Sequence, residues 1–288
     1  MSRWVAILSF QSRVVYGHVG NSIAEFALRR LGHDIWPIDT VSFSNHPGYG
    51  TWRGRTTPAA ELAALVEGLA DLGVLRRCRA VLSGYLGSEK NGGTVLDAVD
   101  QMRAARPASL YCCDPVMGDR DSGLYVANSL VRFFRDRAVP SADIIAPNHF
   151  ELEVLAGRPL PGLDYVVAAA RELRAGGPRV VLVSSLVSAA QGADRIGTLA
   201  ASDAGDWLVT TPRLPLAARG AGDLLVALFL ARWLDLGDVA DALARAVAST
   251  FAVVEKTAAE LAGRELLLVA AQDALREPSQ AFPAIRLG

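Results

Sequence analysis

Ser109-Leu110-Tyr111-Cys112-Cys113-Asp114-Pro115-Val116-Met117-Gly118 is an apolar run that ends on a carboxylate and a proline-fixed turn. It lacks strict polar–apolar alternation, as a strand buried on both faces should. Helical patterns flank it, over 93–105 before and 126–135 after. The same unit repeats outward in both directions. Strands are expected over 5–8, 35–41, 80–83, 143–146 and 179–184, and helices over 21–31, 59–72, 149–156 and 165–175. This alternation predicts an α/β fold, a mostly parallel central sheet covered by helices on both faces. Past residue 190 the pattern changes. Residues 196–201 and 207–211 read as an antiparallel pair at a sheet edge, turning through Asp203-Ala204-Gly205-Asp206. Three helices follow, from Gly220 to about Leu234, over 239–256 and over 264–275. No Ser/Gly-rich linker and no repeat divides residues 1–288, so one domain is expected.

Composition removes several function classes. A chain of 288 residues, 51% hydrophobic and 20% charged, has length for a sizeable core and is neither disordered nor fibrous. Its 29 basic and 30 acidic side chains give a net charge of −1, which disfavours a nucleic-acid partner. Only Lys90 and Lys256 are available to a mechanism that needs a lysine. The three cysteines, Cys78, Cys112 and Cys113, form no CxxC motif, so neither a disulfide framework nor a structural zinc site is expected. The apolar stretch near Met1 is too short for a signal peptide and reads as the first strand. The most apolar segment, Leu224 to Ala231, lies between Asp223 and Arg232 and is too short to cross a bilayer. A cytoplasmic protein with no membrane partner is expected.

Parallel α/β sheets bind ligands beyond the carboxyl ends of their strands. The residues there are polar or glycine-rich each time: Ser12 with Gly17-His18, Ser83-Gly84-Tyr85, Asp114-Pro115, and Asn148 with Glu151. Gly220-Ala221-Gly222-Asp223 is the most informative group. Two glycines admit a ligand close to the backbone, and the following helix offers unpaired N–H groups and a positive dipole end to an anion. An aspartate there would repel phosphate, unless it serves as the base for a hydroxyl attacking phosphorus. Read alone, the four residues fit an ordinary first-turn aspartate equally well. Asn148-His149-Phe150-Glu151 places an amide and a carboxylate on one face of a helix start, where they could hold the water shell of Mg²⁺. Taken by itself, a capping box is the better reading. Asp114-Pro115 could steer metal or phosphates, or be a simple turn, and the paired cysteines suit the core. Residues 43–52 (Phe43-Ser44-Asn45-His46-Pro47-Gly48-Tyr49-Gly50-Thr51-Trp52) are aromatic and glycine-rich, and suit either a flap closing over a flat ring or a surface loop. The flap would span about 41–56. GxxxxGK[ST], GxSxG and a GxGxxG after the first strand are all missing, which leaves phosphoryl transfer without a P-loop.

Assembled, these residues resemble the ribokinase superfamily, and within it the pyridoxal and pyridoxamine kinases. The resemblance runs nearly end to end. Its marks are Gln11-Ser12-Arg13-Val14-Val15-Tyr16-Gly17-His18-Val19-Gly20-Asn21, Phe43-Ser44-Asn45-His46, Ser83-Gly84-Tyr85-Leu86-Gly87, Asp114-Pro115-Val116-Met117-Gly118, the Asn148/Glu151 pair and Gly220-Ala221-Gly222-Asp223. The resemblance implies a ribokinase-like fold with a small lid. It also implies transfer of the ATP γ-phosphoryl group to the 5′-hydroxyl of pyridoxal, pyridoxamine or pyridoxine. Asp223 would be the base, and Gly220, Ala221 and Gly222 would supply the anion hole. Asp114 and Glu151 would organise Mg²⁺, and a monovalent cation such as K⁺ often assists in this family. Ser12, His46, Pro47, Gly48 and Tyr85 would line the vitamer pocket. Asn148, Ala146, Ser184, Thr211, Pro212, Arg213 and Leu214 would border ATP together with Asp114 and Glu151. A homodimer is implied as well.

Three departures stand out. Ser184 occupies a place where a lysine or threonine is expected, and Ala221 replaces a common threonine while keeping its N–H. Leu124 follows Gly123 where some relatives carry a cysteine that traps the aldehyde, so covalent capture is not expected. The 212–219 stretch is also short. Two other readings remain. One is a hydroxymethylpyrimidine kinase, which the Gln11-Ser12 and Ser83-Gly84-Tyr85 segments disfavour. The other is a non-catalytic pyridoxal phosphate carrier, which would have no need of Asp223.

Overall fold

The computed structural model describes residues 6–187, 192, 194–216, 219–260 and 265–288. Val5 and Arg264, expected at the ends of a strand and a helix, lie outside them.

The alternation of buried side chains along the central strands explains their continuous apolar sequence. In β5 (Leu110–Cys113), Tyr111 and Cys113 enter one core while Cys112 enters the other. In β1 (Ala6–Tyr16), Leu8 and Phe10 face the first core and Ile7 the second. β9 (Val180–Leu186) divides Val181 and Val183 from Val180 and Leu182 in the same way. Each such side chain contributes about 1.5–3 kcal/mol on burial, so both sheet faces must be covered.

The first face is covered by α2 (Ala59–Asp71), α3 (Glu89–Ala105), α4 (Asn128–Phe133), α6 (His149–Ala156) and α7 (Leu163–Ala175). The second is covered by α1 (Asn21–Arg30), α8 (Ala221–Leu236) and α9 (Val239–Ala259). Leu224 to Ala231, the most apolar segment, is buried in this second core. Among the described residues no helix is long and apolar enough to cross a membrane.

The remaining strands are β2 (Asp34–Asn45), β3 (Gly54–Thr56), β4 (Cys78–Ser83), β6 (Gly118–Asp119), β7 (Gly123–Leu124), β8 (Ile144–Ile145), β10 (Arg195–Ser202), β11 (Gly205–Pro212) and β12 (Ile285–Arg286). A short α5 (Val139–Ser141) precedes β8. Among the described residues ten strands form one sheet in the order β12-β11-β10-β9-β8-β5-β4-β1-β2-β3, and β6 pairs with β7 apart from it. From β9 to β2 every pairing is parallel, with antiparallel strands added at both ends. The fold is ribokinase-like α/β.

Several elements differ from the sequence reading. β1 runs on to Tyr16 where a strand was expected over 5–8, and β2 to Asn45 where one was expected over 35–41. The β10–β11 turn is tighter than expected: Ser202 already pairs with Gly205, leaving Asp203-Ala204 as the connection, and β12 adds two residues outside the pair. The helix expected over 264–275 is absent from its described part apart from one 3₁₀ turn, Gln272–Leu275. Leu266 and Leu268 are buried while Val269 is 57% exposed, and the run is a loop that turns at once, with the Ala271 N–H donating to Leu267 O at 3.0 Å. The helix expected over 126–135 begins at Asn128 and widens into a π-helical turn, Phe134–Ala138. The 41–56 segment is a hairpin, with Val41 opposite Thr56 and a 3₁₀ turn at Pro47–Tyr49.

Candidate active site

The carboxyl ends of β1, β2, β4, β5, β8 and β9 open on one side of the sheet, and α8 begins beside them. Its cap residue, Gly220, is left-handed (φ 81°), and a Cβ there would lie 2.3 Å from the His18 carbonyl oxygen. Glycine is therefore required for the 17–20 loop to seat against the helix start. A Cβ on Gly222 would meet nothing within 4 Å, so the backbone is open to a ligand there. The first N–H groups of α8 have no partner within the helix.

Asp223 does not close its own helix. Its Oδ2 accepts the Gly20 N–H at 3.0 Å, across to the first βα loop. Burial raises its pKa to about 6, against the opposing pull of that N–H. Gly20 (φ 53°) packs directly on Ser12, where a Cβ would fall 2.5 Å from the Ser12 Oγ. A register shift between Gln11 and Ser12 re-aims β1 at this point. Ser12, Gly20 and Asp223 are thus contiguous.

Beside them sits a buried acidic group. Asp114, 7% exposed at the end of β5, is held by its own N–H on the Ser83 carbonyl (2.8 Å). Burial, then the fields of Glu151 and Asp223, push its carboxyl well above the usual range. Glu151 is 3% exposed, and burial raises it to about 7. Both its oxygens are used: Oε1 accepts Met117 N–H (2.8 Å) and Gly118 N–H (3.3 Å), and Oε2 accepts Asn148 N–H (2.9 Å). Asn148 Oδ1 accepts Glu151 N–H (3.0 Å), completing a capping box, and its Nδ2 donates to the Gly118 carbonyl (2.8 Å).

Repulsion among buried carboxylates is relieved by a cation. Among the described residues no three His, Cys, Asp or Glu side chains converge to hold a metal directly. With both Glu151 oxygens taken by N–H groups, the Asp114 carboxylate is the donor left, which fits a cation that keeps most of its water and takes phosphate oxygens, as Mg²⁺ does.

Tyr125, which the sequence reading missed, adjoins the same group. Its N–H donates to the Met117 carbonyl (3.1 Å), and the residue is 49% exposed at the rim of the site. It follows the two-residue β7, too short to leave any periodic signal.

On the other flank, Tyr85 is tied by its carbonyl to Thr40 Oγ1 (2.5 Å), and burial raises its phenol pKa. His46 caps the lid turn, its Nδ1 accepting Gly48 N–H (3.0 Å). Burial and then the Arg219 charge lower the His46 pKa. Pro47 and Gly48 form the lid turn itself, and the Arg219 Nη2 donates to the Gly48 carbonyl (2.6 Å).

The residues expected to border a nucleotide lie along β8, β9 and β11. Ala146 is buried and donates its N–H to Cys113 O (2.9 Å), leaving only backbone for a ligand. Ser184 bridges to Asn148, with its N–H on Pro147 O (3.2 Å), and the next residue, Ser185, is left-handed (φ 60°). Thr211 Oγ1 donates to Pro212 O (3.3 Å), and Arg213 donates its N–H to Asp194 O (2.7 Å). Leu214 accepts the Leu216 N–H (2.8 Å). Thr211 and Pro212 end β11, and Arg213 and Leu214 follow it; β11 lies three strands beyond β8 in the sheet, set apart from the acidic group.

Residues 69–264 match the family described as phosphomethylpyrimidine kinase. Pyridoxal kinase PdxY of Rubrobacter xylanophilus is 49% identical over 282 residues, covering 98% of this chain and 97% of the relative. Pyridoxal kinase PdxY of Granulibacter bethesdensis is 47% identical, covering 96% and 98%. Among solved structures, the Leishmania donovani pyridoxal kinase in complex with ADP and pyridoxine superposes with a TM-score of 0.92 at 28% identity, over 98% of this chain and 99% of that one.

Proposed function

The chain belongs to the pyridoxal kinase family, and from that premise we propose that it transfers the ATP γ-phosphoryl group to the 5′-hydroxyl of pyridoxal, pyridoxamine or pyridoxine, with Asp223 as general base. The observation that carries this reading is the Asp223–Gly20 bond. It turns the carboxylate away from its own helix toward Ser12, beside the open N–H groups that follow Gly220. Oδ2 is occupied by Gly20, so Oδ1 is the oxygen that would take the hydroxyl proton. A pKa of about 6 keeps Asp223 mostly ionised at pH 7 yet basic enough to accept that proton.

The N–H groups of Ala221 and Gly222, with the Gly220 turn, would hold the developing charge on the transferred group. Ser12, Tyr85, His46, Pro47 and Gly48 would enclose the vitamer ring, and the lid would exclude water. Asp114, with Glu151 behind it, would hold Mg²⁺ through its water shell. When bound, that ion neutralises charge on the ATP phosphates. Asn148, Ala146, Ser184, Thr211, Pro212, Arg213 and Leu214 would border the nucleotide. The leading support there is the Leishmania enzyme, which was solved with ADP and pyridoxine. The family resemblance adds K⁺ as an activating ion, a homodimer, a cytoplasmic setting and one kinase domain over residues 1–288.

ATP consumption by the purified protein, measured with Mg²⁺ and K⁺ against the three vitamers and hydroxymethylpyrimidine in parallel, tests the proposal. Turnover with a vitamer is the expected result. Turnover with the pyrimidine alone moves the substrate and keeps the base. No turnover with any of the four, together with tight pyridoxal phosphate binding, overturns the kinase reading in favour of a carrier. Light scattering on the same sample tests the homodimer, and replacing K⁺ by Na⁺ tests the ion.

A further inference from the structure

The lid tip is fastened on two sides, one leading to the loop that holds Asp223 and the other to the turn at Gly220. The Tyr49 hydroxyl, in the lid turn, donates to Glu265 Oε1 at 2.7 Å. The other oxygen of the same carboxylate accepts the His18 N–H at 3.0 Å. Glu265 therefore joins the lid tip to the 17–20 loop, whose Gly20 N–H holds Asp223 Oδ2. The fit is close: a Cβ on Gly17 (φ 94°) would lie 2.1 Å from Glu265 Oε2. The second fastening is Arg219. Its guanidinium lies over the Tyr49 ring, 4.3 Å from the centroid, and its Nη2 donates to the Gly48 carbonyl at 2.6 Å. Arg219 directly precedes Gly220, and its backbone bridges to that of Glu265. Tyr16, at the end of β1, meets Tyr49 edge-on at 5.9 Å.

One lid turn is thus tied to the loop that holds the base and to the residue that opens the anion-binding turn. The ties are polar contacts of partly exposed side chains, which each add little to global stability. Their effect is concentrated at the lid.

We propose that Glu265 and Arg219 are positioning residues that latch the lid tip onto the Gly20 and Gly220 loops, so that closing the lid over the vitamer and orienting Asp223 are one event. The inference rests on the kinase reading above. An unlatched lid admits water, which can attack the γ-phosphorus in place of the vitamer hydroxyl. The bond to the ADP oxygen then breaks, giving ADP and inorganic phosphate without phosphorylated vitamer.

Tyr49→Phe, Glu265→Ala and the double variant of the full chain test this, each measured beside the wild type. Tyr49→Phe removes one hydroxyl from a half-exposed ring and leaves the Arg219 stacking in place, so it will fold. The expected result is a vitamer KM raised roughly three- to tenfold in Tyr49→Phe and at least as much in Glu265→Ala. ADP formed per vitamer phosphorylated rises above the wild-type ratio in both. Tyr49→Phe adds nothing once Glu265 is gone, because both changes break the same contact. An additive double variant, or wild-type KM and stoichiometry in the singles, overturns the latch. Trypsin cleavage after Arg53 or Arg55, both exposed in the lid, gives a readout without turnover. If the wild type turns over no vitamer, the kinase reading fails, and the latch is judged by this cleavage alone. Faster cutting of both singles supports it, and unchanged cutting overturns it.

Discussion

α6 and α8 both begin at the carboxyl edge of the sheet, and both carry an acidic side chain at the third helical position. The outcomes are opposite. In α6 the cap is Asn148, and Glu151 reaches back to the Asn148 N–H while Asn148 takes the Glu151 N–H. The helix start is closed on itself. In α8 the cap is Gly220, which has no side chain to offer, and Asp223 turns out to Gly20 instead. That start is left open. A carboxylate at the third position therefore reports a brace when the cap has a side chain, and a candidate base when the cap is a glycine in the left-handed region.

Replacing the carboxylate of the open start should cost decades of rate. Asp223→Asn keeps the shape and the contact with Gly20 but cannot accept a proton, so turnover should fall roughly 10²–10⁴-fold while vitamer binding by calorimetry stays near wild type. Turnover within tenfold of wild type would remove Asp223 from the base role. Gly220→Asn tries to give α8 the cap that α6 has. Asparagine tolerates φ 81°, but its Cβ would press on the His18 carbonyl at 2.3 Å and its side chain would cover the first N–H groups. A loss of roughly 10²–10³-fold in kcat is expected, as for a lost oxyanion donor.

The pH profile sharpens the same contrast. Asp223 must be ionised to act, and burial has moved its pKa up from the ordinary 3.8 to about 6. The rate should therefore fall roughly tenfold per pH unit below about pH 6. The residual rate of Asp223→Asn should lose that limb. A limb that survives the substitution belongs to another group, with Glu151 the first candidate at about 7.

A smaller effect lies in stability, where the base opposes folding. Its folded pKa is above the unfolded one, so the native state disfavours the carboxylate, and this penalty applies fully above pH 6 and vanishes below about pH 4. Asp223→Asn should raise stability at pH 7.5 by about 1–2 kcal/mol in denaturant titration, the full pKa difference being discounted for partial solvent access. The gain should disappear near pH 4. A loss of stability at pH 7.5 would mean that Asp223 is satisfied in the native protein by more than Gly20.

Much of this was legible in the sequence because it depends on burial on both faces. The six parallel strands announce themselves as apolar runs such as Tyr111-Cys112-Cys113, and helices alternate between them at regular spacing. Gly220, Asp223, Asn148 and Glu151 could be placed at helix starts by residue type alone. Which acid braces and which stays open could not, since it turns on the partner loop: Gly20 comes 203 positions earlier in the chain than Asp223. Tyr125 was invisible because β6 and β7 are two residues each, below any period. The 265–275 run misled because four successive apolar residues, Leu266 to Val269, fit a helix or an extended segment. The chain forms neither: it runs as a loop with Leu266 and Leu268 buried and turns through the Ala271 N–H on Leu267 O.

The smallest expected effect is the one that tests α6 as a brace. Asn148→Ala deletes the bond from the Glu151 N–H to Oδ1 and the bond from Nδ2 to Gly118 O. It spares all three N–H groups on Glu151, because the Asn148 donor is backbone and Met117 and Gly118 are untouched. Glu151 should keep its place, and the loss should be that of a helix cap, about 1 kcal/mol and a few degrees in Tm. Turnover at saturating ATP should stay within about tenfold of wild type, because a brace lost at one of several points shifts the acidic group little. A hundredfold loss with an unchanged Tm would mean that the Asn148 amide, which borders the nucleotide in the kinase reading, acts directly on the transferred phosphoryl group or its metal. α6 would then be a second open site, and its likeness to α8 would be functional as well as positional.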